Sequence, residues 1–246
     1  MSTSGARLRL LDDGKARDDL SLRRESKYVF TNFDVATLRT TLRRSCTPIV
    51  YGDRVSKVAS IYFDDPRLSA CRANLDGVGL RHKTRLRWYD QPYPGDHFFY
   101  EKKWRRHRAT GKHRLRIGND SDFQSTPLKR LHAALRRTIP DPYTRHLYDD
   151  TEAVVLVEYD REHFALDGSG ARFTLDYNIR FYPQLFRRCL SRRFVHRLSG
   201  VALIECKHAP TEHAAVHGAL RPLPARKARF SKYVTGCEQL GYISIF

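Results

Sequence analysis

The chain has 246 residues, 41% of them hydrophobic, which suits one globular domain with a sizeable core. Lys and Arg number 45 against 27 Asp and Glu, a formal +18. This implies a polyanionic partner such as nucleic acid, anionic lipid or polyphosphate, and charge alone does not choose among them. Residues 1–20 mix Arg, Lys and Asp without an apolar core, which excludes a signal peptide, and no run approaches the ~20 apolar residues that span a bilayer.

Residues 1–21 read as a flexible N-terminal tail and 22–246 as a single domain. Arg23 to Phe30 reads as a strand with Glu25 and Lys27 on one face and Tyr28 and Phe30 on the other. Asn32 or Asp34 can cap a following helix with Val35, Leu38 and Leu42 on its apolar side, ending before Pro48. Val55 to Phe63 is β-rich, and Pro66 suits the first turn of a short helix through Leu68, Cys71 and Leu75. After the Asp76-Gly77 turn comes a strand in which Arg81, Lys83, Arg85 and Arg87 form one row, with Leu86 and Trp88 in the other. Four cations on one face repel unless an anion lies over them, although a solvated basic face would give the same row.

His97 to Trp104 places Glu101, Lys103 and Arg105 on a shared face. A turn is expected at Thr110-Gly111, and Lys112, Arg114 and Arg116 then align. A helical pattern over about 125–148 carries Leu128, Leu131 and Leu135, and Pro140 and Pro142 break it. Strands at Ala153 to Phe164 and Arg172 to Tyr182 are joined by Asp167-Gly168-Ser169-Gly170. In the second, Arg172, Thr174, Asp176, Asn178 and Arg180 form a polar row. Phe186 to Arg197 is basic and is assigned no regular structure. Val201 to His208 reads as a buried strand with Glu205 and Lys207 on one face, and Ala225 to Leu240 as an amphipathic helix carrying Arg226, Lys227, Arg229 and Lys232. The five cysteines, Cys46, Cys71, Cys189, Cys206 and Cys237, are scattered without a C-x-x-C pair. They suggest a reducing compartment with neither disulfides nor a zinc site. A cytoplasmic protein is expected, and its charge allows peripheral contact with the inner face of a membrane.

At least six strands thus carry charge at period two, dominated by Arg and Lys, with E-x-K pairs at Glu25/Lys27, Glu101/Lys103 and Glu205/Lys207. An antiparallel barrel with apolar residues outward under helices and charged residues inward around an anion-filled lumen satisfies this pattern. Buried cations need partners, and a phosphate chain supplies them.

The stretches Glu25-Ser26-Lys27-Tyr28, Ser60 to Asp64, Lys83 to Tyr89, Tyr100 to Lys103, Tyr159-Asp160-Arg161, Arg172 to Arg180, Ile204 to Lys207 and Phe230 to Tyr233 occur in this order. Together they resemble the VTC domain, the polyphosphate polymerase branch of the CYTH-like triphosphate tunnel metalloenzymes, over about residues 22–242. The resemblance implies an α+β fold: a closed eight-stranded antiparallel tunnel barrel with covering helices. It also implies Mn²⁺ or Mg²⁺ as cofactor, and ATP, polyphosphate or triphosphate as ligand. By the same resemblance Lys27, Arg85, Arg87, Lys103, Arg161 and Arg172 match phosphate-binding tunnel positions, Lys232 the basic residue of the closing helix, and Glu205 the metal-binding glutamate. Lys112, Arg180, Lys207 and Arg229 are further candidates. Glu101 could assist the metal or pair with Lys103, and the pair is the preferred reading. His107 and His113 are weighed as general bases and set aside as exposed histidines, and Glu158 and Asp160 are read as surface residues.

The implied activity is transfer of the γ-phosphoryl group of ATP onto a polyphosphate chain. Tunnel hydrolases open with E-x-E-x-K, whereas Arg23 stands first here, which lowers metal-binding capacity and ranks a triphosphatase second. A non-catalytic polyanion-binding module is the third reading. Nucleic acid is disfavoured because the rows hold Arg and Lys without the aromatic platforms that stack bases. The eukaryotic polymerases of the family work beside membrane-spanning segments and partner domains, so the resemblance implies either a separate membrane-protein partner or release of the product in the cytosol.

Overall fold

Period-two alternation forms the main framework of the protein. Its computed structural model describes residues 7–12, 24–107, 109–140 and 151–244. Arg23, most of the N-terminal stretch, and the helical pattern beyond Pro140, with Pro142, lie outside the described residues. The strands in chain order are β1 (Leu8–Asp12), β2 (Arg24–Thr31), β3 (Cys46–Ile49), β4 (Ser56–Asp64), β5 (Leu80–Tyr89), β6 (His97–Arg106), β7 (Ala109–Asn119), β8 (Glu152–Leu166), β9 (Arg172–Pro183), β10 (His196–Arg197) and β11 (Val201–His208). The helices are α1 (Val35–Leu42), α2 (Ser69–Leu75), α3 (Leu128–Thr138), α4 (His213–Leu220) and α5 (Lys232–Gln239).

The strands form one antiparallel sheet in the order β1-β7-β6-β5-β4-β8-β9-β11-β2, with β10 added to β9 and β3 to β8. The expected closed eight-stranded barrel is therefore corrected: among the described residues the sheet has eleven strands and is open. Closure is achieved by other means. Residues 227–231 run beside β2, with an isolated bridge between Tyr28 and Lys227 and the Ala228 amide donating to the Lys27 carbonyl at 2.9 Å. Across the gap, Lys103 Nζ on β6 lies 3.1 Å from Glu25 Oε2 on β2.

Local chemistry accounts for several element ends. Asp34 caps α1 by accepting from the amides of Ala36 and Thr37, and Leu38 and Leu42 are buried. Pro48 is tolerated inside β3, a short strand at a free edge. The expected helix from Ala225 begins only at Lys232, where the Ser231 side chain accepts from the Val234 amide. Pro222 and Pro224 and the pairing with β2 keep the preceding chain extended. The expected turn at Thr110-Gly111 falls at His107, whose φ is 53°. Gly111 is instead inside β7, where a Cβ would come within 2.1 Å of the Trp104 ring on β6. Leu8–Asp12, where no strand was expected, pairs with β7.

Two apolar clusters cover the outside of the sheet, one under α3 (Leu86, Trp88, Phe98, Ile117, Leu131, Leu135) and one under α1 and α4 (Phe30, Leu38, Leu42, Phe173, Val216, Leu220). The third lies on the inner face, where Tyr233, Val234 and Cys237 of α5 pack against Val58, Tyr62, Val155, Val157 and Phe181. Thus α5 fills part of the interior, and Tyr233 stacks on Tyr62 with centroids 4.9 Å apart. The remaining interior is ionic.

Candidate phosphate channel

Register decides which residues share a wall. Across the sheet, Tyr62, Arg85, Glu101 and Arg114 are direct neighbours, as are Ser60, Arg87 and Phe99, and Lys83, Lys103 and Lys112. On the other side Arg161 pairs with Asp176, Glu205 with Thr174 and Lys27, and Lys207 with Arg172 and Glu25. These rows meet inside the curled sheet and sort into three ionic groups.

Glu101, 2% exposed, is the centre of the first. Arg85 donates to it through Nε at 2.7 Å and to the Tyr62 hydroxyl at 2.9 Å; Lys112 pairs with its other oxygen, and Arg114 Nε lies 3.3 Å away. Burial alone would raise this carboxyl, but Arg85, Arg87 and Lys112 hold it well below the usual carboxylate range. The expected Glu101–Lys103 pair is corrected, since Lys103 pairs with Glu25. Arg87 donates instead to Ser60 Oγ at 3.0 Å and the Tyr159 hydroxyl at 3.1 Å.

The second group is built on Asp176, which is fully buried. Arg161 forks it at 2.6 and 2.7 Å, and Lys232 Nζ reaches the same carboxylate while sitting 4.3 Å from the Tyr159 ring centroid. Against burial, Arg161 and Lys232 bring Asp176 down to about 2. In the third group Glu205 pairs with Lys207 at 3.0 Å and Lys27 at 3.7 Å, and Lys27 also meets Glu25 at 3.2 Å. Burial opposes ionisation of Glu205, but Lys207, Lys27 and Arg161 hold it well below the usual range.

Lys83 stands between these groups. Its ammonium donates to Ser231 Oγ at 2.8 Å, and burial, then Lys27, Lys103, Arg81 and Arg85, push it down to about 7. Lys112 also falls to about 7, because burial and Arg85 outweigh the opposing pull of Glu101. The sequence reading did not single out Lys83, Asp176 or Glu25 as site residues. Lys83 could have been found from its place in the Arg81–Arg87 row, Asp176 from the Arg172 row and Glu25 from its spacing to Lys27.

Other candidates lie elsewhere. Asn178 has φ 53° beside a register shift between β8 and β9, so the polar row breaks there and Arg180 emerges on the opposite face, 4.0 Å from Glu158. Glu158 is not a surface residue: it is 6% exposed and accepts from Tyr182 Oη at 2.9 Å. Asp160 is half-buried and accepts from Asn178 at 2.7 Å. Arg172 and Lys207 are exposed neighbours at one end of the inner row, and Arg229 is exposed and adds to the lowering of the Arg81 pKa by burial and Arg105. His113 accepts from Trp104 Nε1 at 3.0 Å on the outer parity, and His107 is in the β6–β7 turn, so neither faces the channel.

No cluster of three His, Cys, Asp or Glu suited to a metal occurs among the described residues. Glu25 and Glu205 nonetheless approach one Lys27 ammonium from two sides; burial and the charge of Glu205 oppose ionisation of Glu25, but Lys103, Lys27 and Lys207 together hold its pKa below the usual carboxylate value. Two hard oxygen donors fit a Mg²⁺- or Mn²⁺-type ion completed by substrate phosphates. The oxygens of Glu25 and Glu205 are themselves paired with Lys27, Lys103 and Lys207, which a metal would displace; Glu101 fits less well, being 2% exposed and held by the guanidinium groups of Arg85 and Arg114 as well as by Lys112.

No protein among curated sequences matches the chain at a significant level. Among solved structures, the PH1819 protein of Pyrococcus horikoshii OT3 superposes with a TM-score of 0.51 at 14% identity, over 88% of this chain and 99% of that one. HpAC1 of Hippeastrum, assigned as an adenylyl cyclase and described as having a dominant triphosphatase activity, gives 0.50 at 14% identity, over 87% and 95%. At such identities the likeness is one of fold. The family model described as "VTC domain" matches residues 22–241, nearly the whole length, and the chain belongs to the VTC domain family.

Proposed function

We propose that this protein is a metal-dependent polyphosphate polymerase that transfers the γ-phosphoryl group of ATP onto a polyphosphate chain within the channel. The observation that carries this reading is the alignment of Lys83, Lys103 and Lys112 on three adjacent strands. Glu25 beside Lys103 and Glu101 beside Lys112 offset part of this charge, and the excess that remains around Lys83, with Lys27, Arg81 and Arg85 nearby, favours an anion lying across the row. A chain of phosphoryl groups is such an anion, and the inner rows continue the cationic track through Arg85, Arg87, Arg161 and Lys27.

Phosphoryl transfer demands position and charge rather than a protein nucleophile. A terminal oxygen of the acceptor chain attacks the γ-phosphorus, the bond from that phosphorus to the β–γ bridging oxygen breaks, and ADP leaves. That oxygen is already ionised, so no general base is needed, in keeping with the absence of His107 and His113 from the inner rows. Glu101 and Asp176 fix the planes of Arg85 and Arg161, leaving further N–H donors of each fork for phosphate oxygens. Lys27, Lys103 and Lys232 add point charges that offset the developing negative charge. Glu205, with Glu25 beside it, would hold Mn²⁺ or Mg²⁺, which supplies Lewis-acid polarisation of the transferred group.

A triphosphatase is the second reading, favoured by the fold shared with HpAC1. One experiment separates the two: the purified protein is incubated with ATP and Mn²⁺ or Mg²⁺, and the products are run on a gel stained for polyphosphate. Long chains with ADP are expected. Free phosphate without chains would assign a hydrolase, and no turnover with tight, salt-sensitive tripolyphosphate binding would assign a binding module. Lys103→Ala and Glu205→Ala should each abolish turnover while far-UV circular dichroism stays unchanged. Full activity in both would remove these residues from the site.

A further inference from the structure

Away from the channel, the segment linking β9 to β10 exposes two large rings. Phe186 is 91% exposed and Phe194 72%, and both sit in the left-handed region, with φ of 61° and 59°. That conformation is uncommon for any residue with a Cβ and is an outlier for a bulky aromatic one. The segment is nevertheless held firmly. Gln184, 1% exposed, accepts from the Ser191 amide at 3.0 Å and donates to the Ser191 carbonyl at 2.6 Å, while Arg192 pairs with Glu158. The rings therefore project from an anchored scaffold.

Their surroundings are cationic. Residues 184–197 contain no Asp or Glu, and Arg187, Arg188, Arg193 and Arg197 are exposed, Arg187 lying 5.4 Å from the Phe194 centroid. The segment is docked against the start of α3 by the Leu128 amide donating to the Arg188 carbonyl at 2.7 Å and by a bridge between Pro127 and Cys189. This brings the exposed Lys129 and Arg130 of α3 alongside, from a helix that also lacks acidic residues.

We infer that residues 184–197, with the exposed face of α3, form a docking surface for an anionic lipid bilayer, in which Phe186 and Phe194 enter the headgroup boundary and the guanidinium groups engage lipid phosphates. A ring exposed to this degree lines no groove and brings no pocket of its own. A fluid interface accommodates such a ring, whereas a protein partner would need a matching cavity. The surrounding positive charge complements an anionic leaflet. Leu185 packs against the inner apolar cluster, but the charged part of this surface is separate from the inner ionic rows, since Arg192 pairs with Glu158 on the opposite face of the sheet from Arg161.

The test is co-sedimentation of the full chain with vesicles of phosphatidylcholine alone and of phosphatidylcholine mixed with phosphatidylglycerol. The Phe186→Asn/Phe194→Asn double variant is the comparison. Asn accepts the left-handed conformation more readily than Phe, so the variant should melt at or above the wild-type temperature. Expected are binding to the anionic vesicles only, weakened by salt, and a loss of about tenfold or more in the variant with unchanged affinity for tripolyphosphate. Failure of the wild type to bind the anionic vesicles, as would follow if the patch served a protein, overturns the proposal. So does equal binding of both vesicle types, or a variant that binds as the wild type does.

Discussion

Replacing Glu101 by Gln should destabilise the empty protein and make it unusually dependent on an anionic ligand. The carboxylate is 2% exposed and balances Arg85 at 2.7 Å, Arg114 at 3.3 Å and Lys112. Removing one partner of a buried ion pair costs about 3–5 kcal/mol, because the surviving charge has lost its water and its counterion. Lys112 and Arg114 keep 30% and 43% side-chain exposure and can turn toward solvent, which places the cost near the low end, about 3 kcal/mol. For a chain of this size, about 2–4 °C per kcal/mol gives a melting temperature lower by roughly 6–12 °C. A bound phosphate chain should restore part of this. Ligand at a hundredfold excess over Kd stabilises any specific binder by about 2.7 kcal/mol, and in the variant the added anion also replaces the missing carboxylate. Thermal denaturation with and without tripolyphosphate, with sulfate at matched ionic strength as control, should therefore show a larger ligand-induced rise for Glu101→Gln than for the wild type. An unchanged melting temperature, or a ligand shift no larger than the wild type's, would refute the view that the channel's cations await an external anion.

Lys83 and Lys112 both lie at about 7 against an ordinary 10.5, so the unfolded chain binds more protons between those values, and these two groups make stability rise with pH across that window. Binding of a polyanion should reverse the shift and take up protons. Calorimetry of tripolyphosphate binding at pH 8 in buffers of different ionisation enthalpy should detect this uptake and find it reduced in Lys83→Met; no uptake in the wild type would count against the cationic core. Arg161→Ala should weaken tripolyphosphate binding by about tenfold or more, in line with roughly 1.5–3 kcal/mol for a charged hydrogen bond, while Arg180→Ala stays near wild type. Titration calorimetry giving the opposite ranking would place the inner row on the wrong face. Gly111→Ala, with its Cβ at 2.1 Å from Trp104, should cost about 1–3 kcal/mol in urea unfolding, and a neutral result would show that Trp104 is free to move aside.

Alternation made much of the architecture readable in the residues themselves. The row Arg81, Lys83, Arg85, Arg87 and the E-x-K pair at Glu205 needed only a period of two to be placed on inner faces. What was hidden arose where the period is broken or where long-range partners decide. One residue in the left-handed region, Asn178, moves Arg180 to the other face, and nothing in Asn-Ile-Arg marks that shift. Glu158 is of outward parity, as its spacing from Arg161 suggests. It is buried because Tyr182 and a loop some thirty residues downstream close over it, a contact with no local signature. The choice of Lys103 for Glu25 and of Lys112 and Arg85 for Glu101 is likewise a matter of how far the sheet curls. Closure was overestimated because strand patterns specify faces and neighbours, whereas the last seam of a barrel depends on total shear, to which each strand adds only a little.

The seam between β2 and residues 227–231 also bears on how the molecule forms. Lys27 and Phe230, which meet there through a 3.2 Å hydrogen bond, are separated by 203 positions. During synthesis β2 therefore waits for nearly the whole chain before its outer edge is covered, and an uncovered edge is a template for pairing with other molecules. Contacts of such sequence separation slow folding. Polyanions present while the chain emerges, by gathering the facing lysines and arginines, would shorten the interval in which that edge is open to aggregation.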